Sequence, residues 1–518
     1  MTEIDYEKIG FKCGLEIHQQ LDTKKLFCNC VSVLRKDEPD FIVHRKLHAV
    51  AGESGEVDVA AKYQASLDRE FVYQGYDTTC LVELDEEPPH EINSGALKIA
   101  LEISLLLNCR IIPLTQIMRK MVIDGSNTSG FQRTVLIAED GYVETEDGRV
   151  GISAVILEED AARIVAPQAY TKEAREPAKA GPEKFSEKIF TKGKNNEGTY
   201  RLDRLGIPLV EVVTAPDVKT AEQAKNVSLK IGEILRSCNV RRGIGTIRQD
   251  VSVSIKGGER VEMKGLQKPE LIISTIDNEI KRQIELVEKK KSVAEVRRGN
   301  PDSTTSFLRP LPGSARMYPE TDLPLLKISR KMIDDAKKTL PKLREEIEEE
   351  LKNRGLNQEM IKLILKQDRR SSIGSSSKEA KPKQNKLEEF KELLEIVDNP
   401  QLVAKTLLVF PKEIGSKIKI KNKLGKDILI FVLENFKKGK IKEGQIKESL
   451  ERIAKGEEIH NAIKFHGIDL RDIEEKIMKL VKSKSGLSEK AYMGLVMKEF
   501  AGKVDGKTAI GIIKKYVG

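Results

Sequence analysis

In Cys13-Gly14-Leu15-Glu16-Ile17-His18-Gln19-Gln20-Leu21, polar and apolar residues alternate. As a strand, this stretch puts Gly14, Glu16, His18 and Gln20 on one face and Cys13, Leu15 and Ile17 on the other. The second face suits a core. The first carries a carboxylate and an imidazole two residues apart, close enough to meet one ion, although a solvent-facing sheet edge would show the same pattern. The short period recurs further on, where residues 251–255 and 259–263 alternate across Lys256-Gly257-Gly258, a turn signal for a hairpin. Helical spacing interrupts the strands. Residues 93–107 open on Asn93 as a cap candidate and repeat apolar residues at Leu97, Ala100, Leu101, Ile103 and Leu107, and residues 221–238 and 269–288 show the same 3.6-residue period. From Ile9 to about Pro324 the chain therefore reads as an α+β fold rich in antiparallel strands.

After Pro324 the character changes to helix. Residues 331–370 read as helices broken at Pro341 and Gly355. Residues 371–385, with Gly374-Ser375-Ser376-Ser377 and Lys381-Pro382-Lys383, read as a linker. Amphipathic helices follow over 386–461, and the last fifty residues form a small helical unit with turn signals at 484–486 and 502–506. Three regions are expected: 1–326, 327–461 and 462–518, the first α+β and the other two all-helical, in line with roughly 100 to 200 residues per domain. Charge divides along the same line. Of 90 Lys and Arg and 81 Asp and Glu in 518 residues, 48 and 51 lie at or before Arg330, against 42 and 30 after it. The net charge of +9 is thus held entirely by the helical part, which suits a polyanionic partner, nucleic acid ahead of an acidic membrane.

With 39% apolar and 33% charged residues, collagen-like, mucin-like and wholly disordered classes are excluded. No apolar run approaches the roughly 18 residues of a membrane span. The first ten residues lack the basic-then-apolar form of a secretion signal, so a cytoplasmic protein without membrane partners is expected. Six scattered cysteines are then thiols or metal ligands rather than a disulfide framework.

Two further carboxylate stretches join the first. Residues 152–157 form an apolar run ending in Glu158-Glu159-Asp160, and Ile207-Pro208-Leu209-Val210-Glu211-Val212-Val213 sets one glutamate among apolar neighbours, where it needs a partner. Glu16, His18, Glu159 and Glu211 together would make a mostly oxygen-donating site suited to Mg²⁺, which also keeps waters and nucleotide phosphate oxygens. Arg119-Lys120 precedes Ile123-Asp124-Gly125-Ser126-Asn127-Thr128-Ser129-Gly130-Phe131, whose glycines permit backbone approach to an anion and whose Ser126, Thr128 and Ser129 hydroxyls can donate to phosphate. It is not a Walker A loop, because Phe131-Gln132 follows Gly130. Cys28, Cys30 and a distant Cys80 make three quarters of a zinc site with no evident fourth ligand. Cys13, Cys109 and Cys238 sit on apolar faces and read as core. No Gly-x-Ser-x-Gly elbow or cysteine-nucleophile signature is present, so a hydrolytic triad is not expected.

Longer motifs are more specific. Residues 14–21 followed by Lys25-Leu26-Phe27-Cys28-Asn29-Cys30, and Thr79-Cys80-Leu81-Val82-Glu83-Leu84-Asp85-Glu86-Glu87-Pro88-Pro89, resemble the large tRNA-binding subunit of the tRNA-dependent amidotransferases. This family has a bacterial B type and an archaeal E type. Val122 to Thr134, Gly245-Thr246-Ile247-Arg248-Gln249-Asp250 and Tyr318-Pro319-Glu320-Thr321-Asp322-Leu323-Pro324 resemble the archaeal E-type subunit of glutamyl-tRNA(Gln) amidotransferase. The motifs span about residues 11 to 325.

The resemblance implies a catalytic cradle domain over 1–326, a helical domain and a small tRNA-binding tail. It also implies a ligase reaction. ATP phosphorylates the γ-carboxylate of glutamate carried by tRNA(Gln), and ammonia displaces the phosphate. It implies Glu16, His18, Glu159 and Glu211 as Mg²⁺ ligands, Lys120 beside the phosphate, and Arg248, Asp250, Glu262 and Lys264 near the pocket. It further implies an asparaginase-like glutaminase, the D-type subunit, as the ammonia source in a heterotetramer. Such chains usually carry an aspartyl-tRNA-synthetase-like insertion between Glu295-Val296-Arg297 and the segment beginning at Leu308, where only about ten residues stand here. A bacterial B-type subunit acting on aspartyl-tRNA(Asn) as well, and a non-catalytic RNA-binding scaffold, are the rival readings.

Overall fold

The structure is a computed structural model that describes residues 4–51, 55–165, 197–313, 316–365, 386–418, 422–465, 470–484, 486–500 and 506–517. The expected linker at 371–385 and most of the turn at 502–506 lie outside the described residues. The chain divides into two units, Met1–Leu343 and Arg344–Gly518.

In the first unit the strand Lys12–Gln20 lies near the middle of a sheet that has eleven strands among the described residues. To one side of it come Ile247–Ser254, Val261–Lys264, Glu295–Gly299 and Thr305–Pro310. To the other come Pro208–Thr214, Gly148–Glu159, Phe131–Thr145, Ile117–Met121 and Met317–Pro319, with Arg110–Ile111 added against Phe131–Thr145. Neighbours pair antiparallel except Val261–Lys264 with Glu295–Gly299. The alternation in the first strand becomes an inside and an outside: Cys13, Leu15 and Ile17 are at most 1% exposed, and the same face continues through Val210, Val212, Val251, Val253, Val261 and Met263.

Three helices cover that face and share its core: Ser94–Leu106, Ala221–Ser237 and Pro269–Glu288. Their starts follow from the residues. Asn93 accepts from the Ala96 N–H, Thr220 accepts from the Gln223 N–H, and Pro269 takes a first-turn position where its missing donor costs nothing. Each fully buried Leu, Ile or Val on these helices contributes about 1.5–3 kcal/mol, so the covered face anchors the sheet and leaves the polar face available for chemistry. The hairpin expected at 256–258 forms, with Gly257 at φ 77°, a conformation that glycine reaches without a Cβ clash. The short interval after Glu295 closes as a second hairpin. Its tip is tied by the Asn300 N–H to the Thr304 carbonyl (2.9 Å) and the Ser303 N–H to the Asn300 carbonyl (3.0 Å).

A smaller sheet of Phe41–Arg45, Glu70–Gly75, Glu197–Arg201 and Arg163–Ile164 carries its own aromatic cluster of Phe71, Tyr73 and Tyr200. The boundary expected at 326 falls later, after Leu343. Helix Arg330–Lys338 buries Ala336 completely in the first unit's core, and Thr339 donates to Glu102 (2.7 Å), so these residues belong to the sheet unit.

The second unit is helical and holds two separate apolar clusters. One runs from Leu351 to Ala462, with Phe390, Val432 and Ile453 fully buried, and the other joins Ile477, Val496 and Ile513. With a large mixed sheet in one unit and helices in the other, the α+β class stands. Among the described residues, no helix is long and apolar enough to cross a membrane.

Candidate functional site

Strand register assembles the polar face. Glu16 stands opposite Asp250, and His18 stands opposite Glu211 on one side and Arg248 on the other. Directly opposed residues have Cβ atoms about 4.5–5.5 Å apart, so residues far apart in the chain become neighbours on one surface. Glu262 and Lys264 join from the next strand, with Val261 and Met263 turned to the core. Lys120, opposite Gln132, closes the far side. These residues line a cavity of about 450 Å³, within the usual range for a small-molecule site.

Two donor groups sit in it. His18, Glu158 and Glu211 have donor atoms within 4.8 Å of one another, as do Glu16, Asp250 and Glu262. His18 Nε2 lies 3.5 Å from Glu211 and 3.7 Å from Glu158. Lys120 Nζ donates to Glu158 at 2.8 Å, and Lys264 bridges Asp250 (2.6 Å) and Glu262 (2.5 Å). Asp160, 1% exposed, holds the wall by accepting from Gln20 (2.6 Å) and Arg248 (2.7 Å).

The crowding of carboxylates has electrostatic consequences. Burial, together with the charges of Glu262 and Glu211, pushes the Glu16 carboxyl up to about 7. For Glu211, burial also opposes ionisation, but the hydrogen bond and charge of His18, with Lys120 and Lys264 nearby, hold it below the usual carboxylate range. For His18, burial disfavours the charged form, yet Glu211 and Glu158 outweigh it and raise the imidazole. A divalent cation would relieve the repulsion that raises Glu16, so the oxygen-rich donor set fits a hard ion such as Mg²⁺.

Glu159, expected among the ligands, points away from the cavity. Its carboxylate accepts from the Arg133 N–H (3.2 Å) and faces the Arg133 guanidinium (3.5 Å), which also donates to Glu320 (2.9 Å). Glu158 takes its place. Counting by twos from Leu157, which is fully buried in the core, gives Glu158 to the polar face and Glu159 to the other. That parity was the available signal. A register shift between Leu136 and Ala138 complicates its reading from further back. Glu16, His18, Glu211, Lys120, Arg248, Asp250, Glu262 and Lys264 all line the cavity.

The hydroxyl loop does not reach it. Ser126 donates to Asp124 (2.6 Å), Thr128 to the Glu83 carbonyl (2.5 Å) and Ser129 to the Phe131 carbonyl (3.0 Å), so all three are engaged within the scaffold. Gly125, at φ 92°, is packed so that a Cβ would lie 2.3 Å from the Phe71 ring, which makes this loop a buttress over the aromatic cluster.

Cys28, Cys30 and Cys80 do meet, and Glu83 supplies the fourth donor that their spacing left open, all within 4.8 Å. The Cys80 N–H donates to Glu83 (3.0 Å), and Lys25, fully buried, pairs with Glu83 while donating to the Leu202 carbonyl (3.2 Å). Cys13 and Cys238 are core residues, and Cys109 is 9% exposed beside them.

A model of the GatB/GatE catalytic domain matches residues 11–334, the span that contains the sheet and every residue lining the cavity. The chain belongs to this family. Among curated proteins, it is 34% identical to the E subunit of glutamyl-tRNA(Gln) amidotransferase from Methanocaldococcus jannaschii, with 99% of each chain covered. It is 33% identical to the protein of the same name from Archaeoglobus fulgidus, over 99% of this chain and 98% of that one. With the Methanococcus maripaludis protein of that name it shares 47% identity over 294 residues, 56% of this chain and 42% of the relative. The first alignment runs to 671 positions against 518 residues here, so that relative carries segments with no counterpart in this chain. This agrees with the tight hairpin where the insertion was expected.

Proposed function

We propose that this chain is the ATP-dependent, amidating subunit of a tRNA-dependent amidotransferase. It transfers the γ-phosphoryl group of ATP to the γ-carboxylate of glutamate esterified to tRNA(Gln). Ammonia then attacks the acyl phosphate carbon and phosphate leaves, giving glutaminyl-tRNA(Gln). The observation that supports this most is the convergence of His18 and six carboxylates, Glu16, Glu158, Asp160, Glu211, Asp250 and Glu262, on one cavity inside the matched catalytic domain. A scaffold that only binds RNA has no use for buried acids that repel its ligand.

His18, Glu158 and Glu211, with Glu16, Asp250 and Glu262 beside them, would hold Mg²⁺. When bound, the ion neutralises phosphate charge and aligns the transfer. The chain's own residues do the rest. Lys120 places an ammonium at the cavity wall where charge builds on the transferred group, and Glu158 keeps it oriented. Arg248 and Asp160 hold the opposite wall rigid through their 2.7 Å bond. Ammonia comes from an asparaginase-like glutaminase partner in a heterotetramer, and the basic helical unit supports tRNA binding. The test is ATP hydrolysis by the purified chain, with and without glutamyl-tRNA(Gln) and added ammonium. Hydrolysis stimulated by the charged tRNA and converted to amidation by ammonium is expected. Indifference to both would overturn the reading.

The Cys28, Cys30, Cys80 and Glu83 group supports a structural zinc ion. Three thiolates and a carboxylate leave a zinc site with net charge −2, and the buried ammonium of Lys25 offsets part of it. Elemental analysis of the purified chain should find roughly one zinc per chain, and a strong chelator should lower its Tm. A zinc-free chain with the same Tm before and after chelation would remove the assignment.

A further inference from the structure

Charge pairing inside the cavity is uneven. Lys120, Lys264 and Arg248 are each taken up by carboxylates. Across from them, Arg309 on the Thr305–Pro310 strand and Arg316, just ahead of Met317–Pro319, also line the cavity, yet among the described residues neither guanidinium has a hydrogen-bond or ion-pair partner. Both are half-buried. Burial and the adjacent charge of Arg309 press Arg316 below the ordinary guanidinium range, which the charges of Asp58, Glu262 and Glu211 only partly offset. Two desolvated cations side by side are unfavourable unless an anion joins them.

The pair is also held in place. Arg309 stands opposite Val296, which in turn pairs with Glu262, so one sheet row leads from the carboxylates to the arginine. The stretch that follows Arg309 is anchored where the Gly313 N–H donates to Asp58 at 2.7 Å. Asp58 is 3% exposed, and its other oxygen caps the helix Val59–Ala65 by accepting from Ala60 and Ala61. Arg316 lies within the field of Glu211 and Glu262, one from each donor group, so an anion held by it would sit beside a cation held by them.

We propose that Arg309 and Arg316, with the exposed Arg260 at the mouth, form the polyphosphate subsite of this cavity and grip the β- and γ-phosphates of a nucleoside triphosphate. The assignment rests on the ATP reading above and relocates the phosphate contacts from the Ser126, Thr128 and Ser129 hydroxyls to the opposite wall. A guanidinium presents a planar fork matched to phosphate oxygens, which a lysine cannot reproduce. A triphosphate with its own divalent cation satisfies both walls at once. The singly charged diester at a tRNA end would leave one wall uncompensated.

The test is calorimetric titration of the purified full-length chain with Mg-ATP, AMP and inorganic tripolyphosphate, for the wild type, Arg309→Ala, Arg316→Ala and Arg316→Lys, with glutamyl-tRNA(Gln) affinity measured alongside. In the wild type, tripolyphosphate should compete with ATP. Each alanine variant should weaken ATP and tripolyphosphate by roughly 10- to 100-fold, the range for a lost charge-assisted contact, and leave AMP nearly unchanged. Arg316→Lys should recover only part of the loss. Thermal stability should stay level or rise in the alanine variants, because a half-buried charge with no partner among the described residues is removed. ATP affinity unchanged in both alanine variants overturns the subsite, as does loss of tRNA affinity with ATP binding intact. Tripolyphosphate binding that depends on the arginines without ATP binding upholds the anion subsite and sinks the ATP reading. A wild type that binds neither sinks both.

Discussion

Glu158→Gln should reduce ATP-dependent amidation by roughly 100- to 1,000-fold, the scale of losing one preorganised charge from a reacting site, while Glu159→Gln stays within a few-fold of the wild type. Glu158 faces His18 and accepts from Lys120, so the neutral amide both weakens cation binding and frees the ammonium from its orientation. Glu159 serves Arg133 on the other side of the sheet, and its loss should appear as about 1–3 kcal/mol of stability, toward the low end because Arg133 keeps Glu320. Steady-state amidation across a Mg²⁺ titration, with denaturant unfolding of both variants, separates the two roles. Normal turnover in Glu158→Gln with an inactive, fully folded Glu159→Gln would reverse the assignment of faces.

Lys25→Met should be the most destabilising of the changes considered. Lys25 is fully buried, and its departure leaves the Glu83 carboxylate, itself 5% exposed, without its cation. Breaking a buried pair by removing one member costs about 3–5 kcal/mol, which for a unit of this size corresponds to a Tm fall of roughly 5–15 °C. Adding Glu83→Gln to Lys25→Met should recover most of the loss in zinc-free protein, since the stranded charge is then gone. In zinc-loaded protein the same double change should recover less, because a metal ligand is lost with it. Equal Tm for the wild type and Lys25→Met would show that Glu83 does not depend on Lys25.

How far the sequence could be read follows from the range of each signal. Periodicity is local, and it is enough to place a strand within residues 13–21, the hairpin across Gly257 and the helices at 93–107, 221–238 and 269–288, the first with Asn93 as its cap. Long motifs pointed to the family and to most of the cavity. Two positions differ from the local expectation, each for a physical reason. Glu158, not Glu159, faces the cavity, and the apolar run before the pair lacks the alternation that would mark which glutamate does. Ser126, Thr128 and Ser129 tie their loop to its scaffold, and polar loop residues look alike in sequence whether they do this or face a ligand.

Features that depend on a few neighbouring residues are legible along the chain: the inward face of each strand, the caps and turns, the charge imbalance between the two parts, and the chemistry of Glu16 and His18 as a pair. Features that depend on register between distant strands emerge on folding. Glu211 stands opposite His18, Asp250 opposite Glu16, and Glu83 beside Cys28 and Cys80 because sheet pairing and core burial bring them there. That Arg309 and Arg316 have no partner among the described residues is of the same kind. Whether a charge has a partner is a property of all the surfaces packed around it, and no window along the chain contains those surfaces.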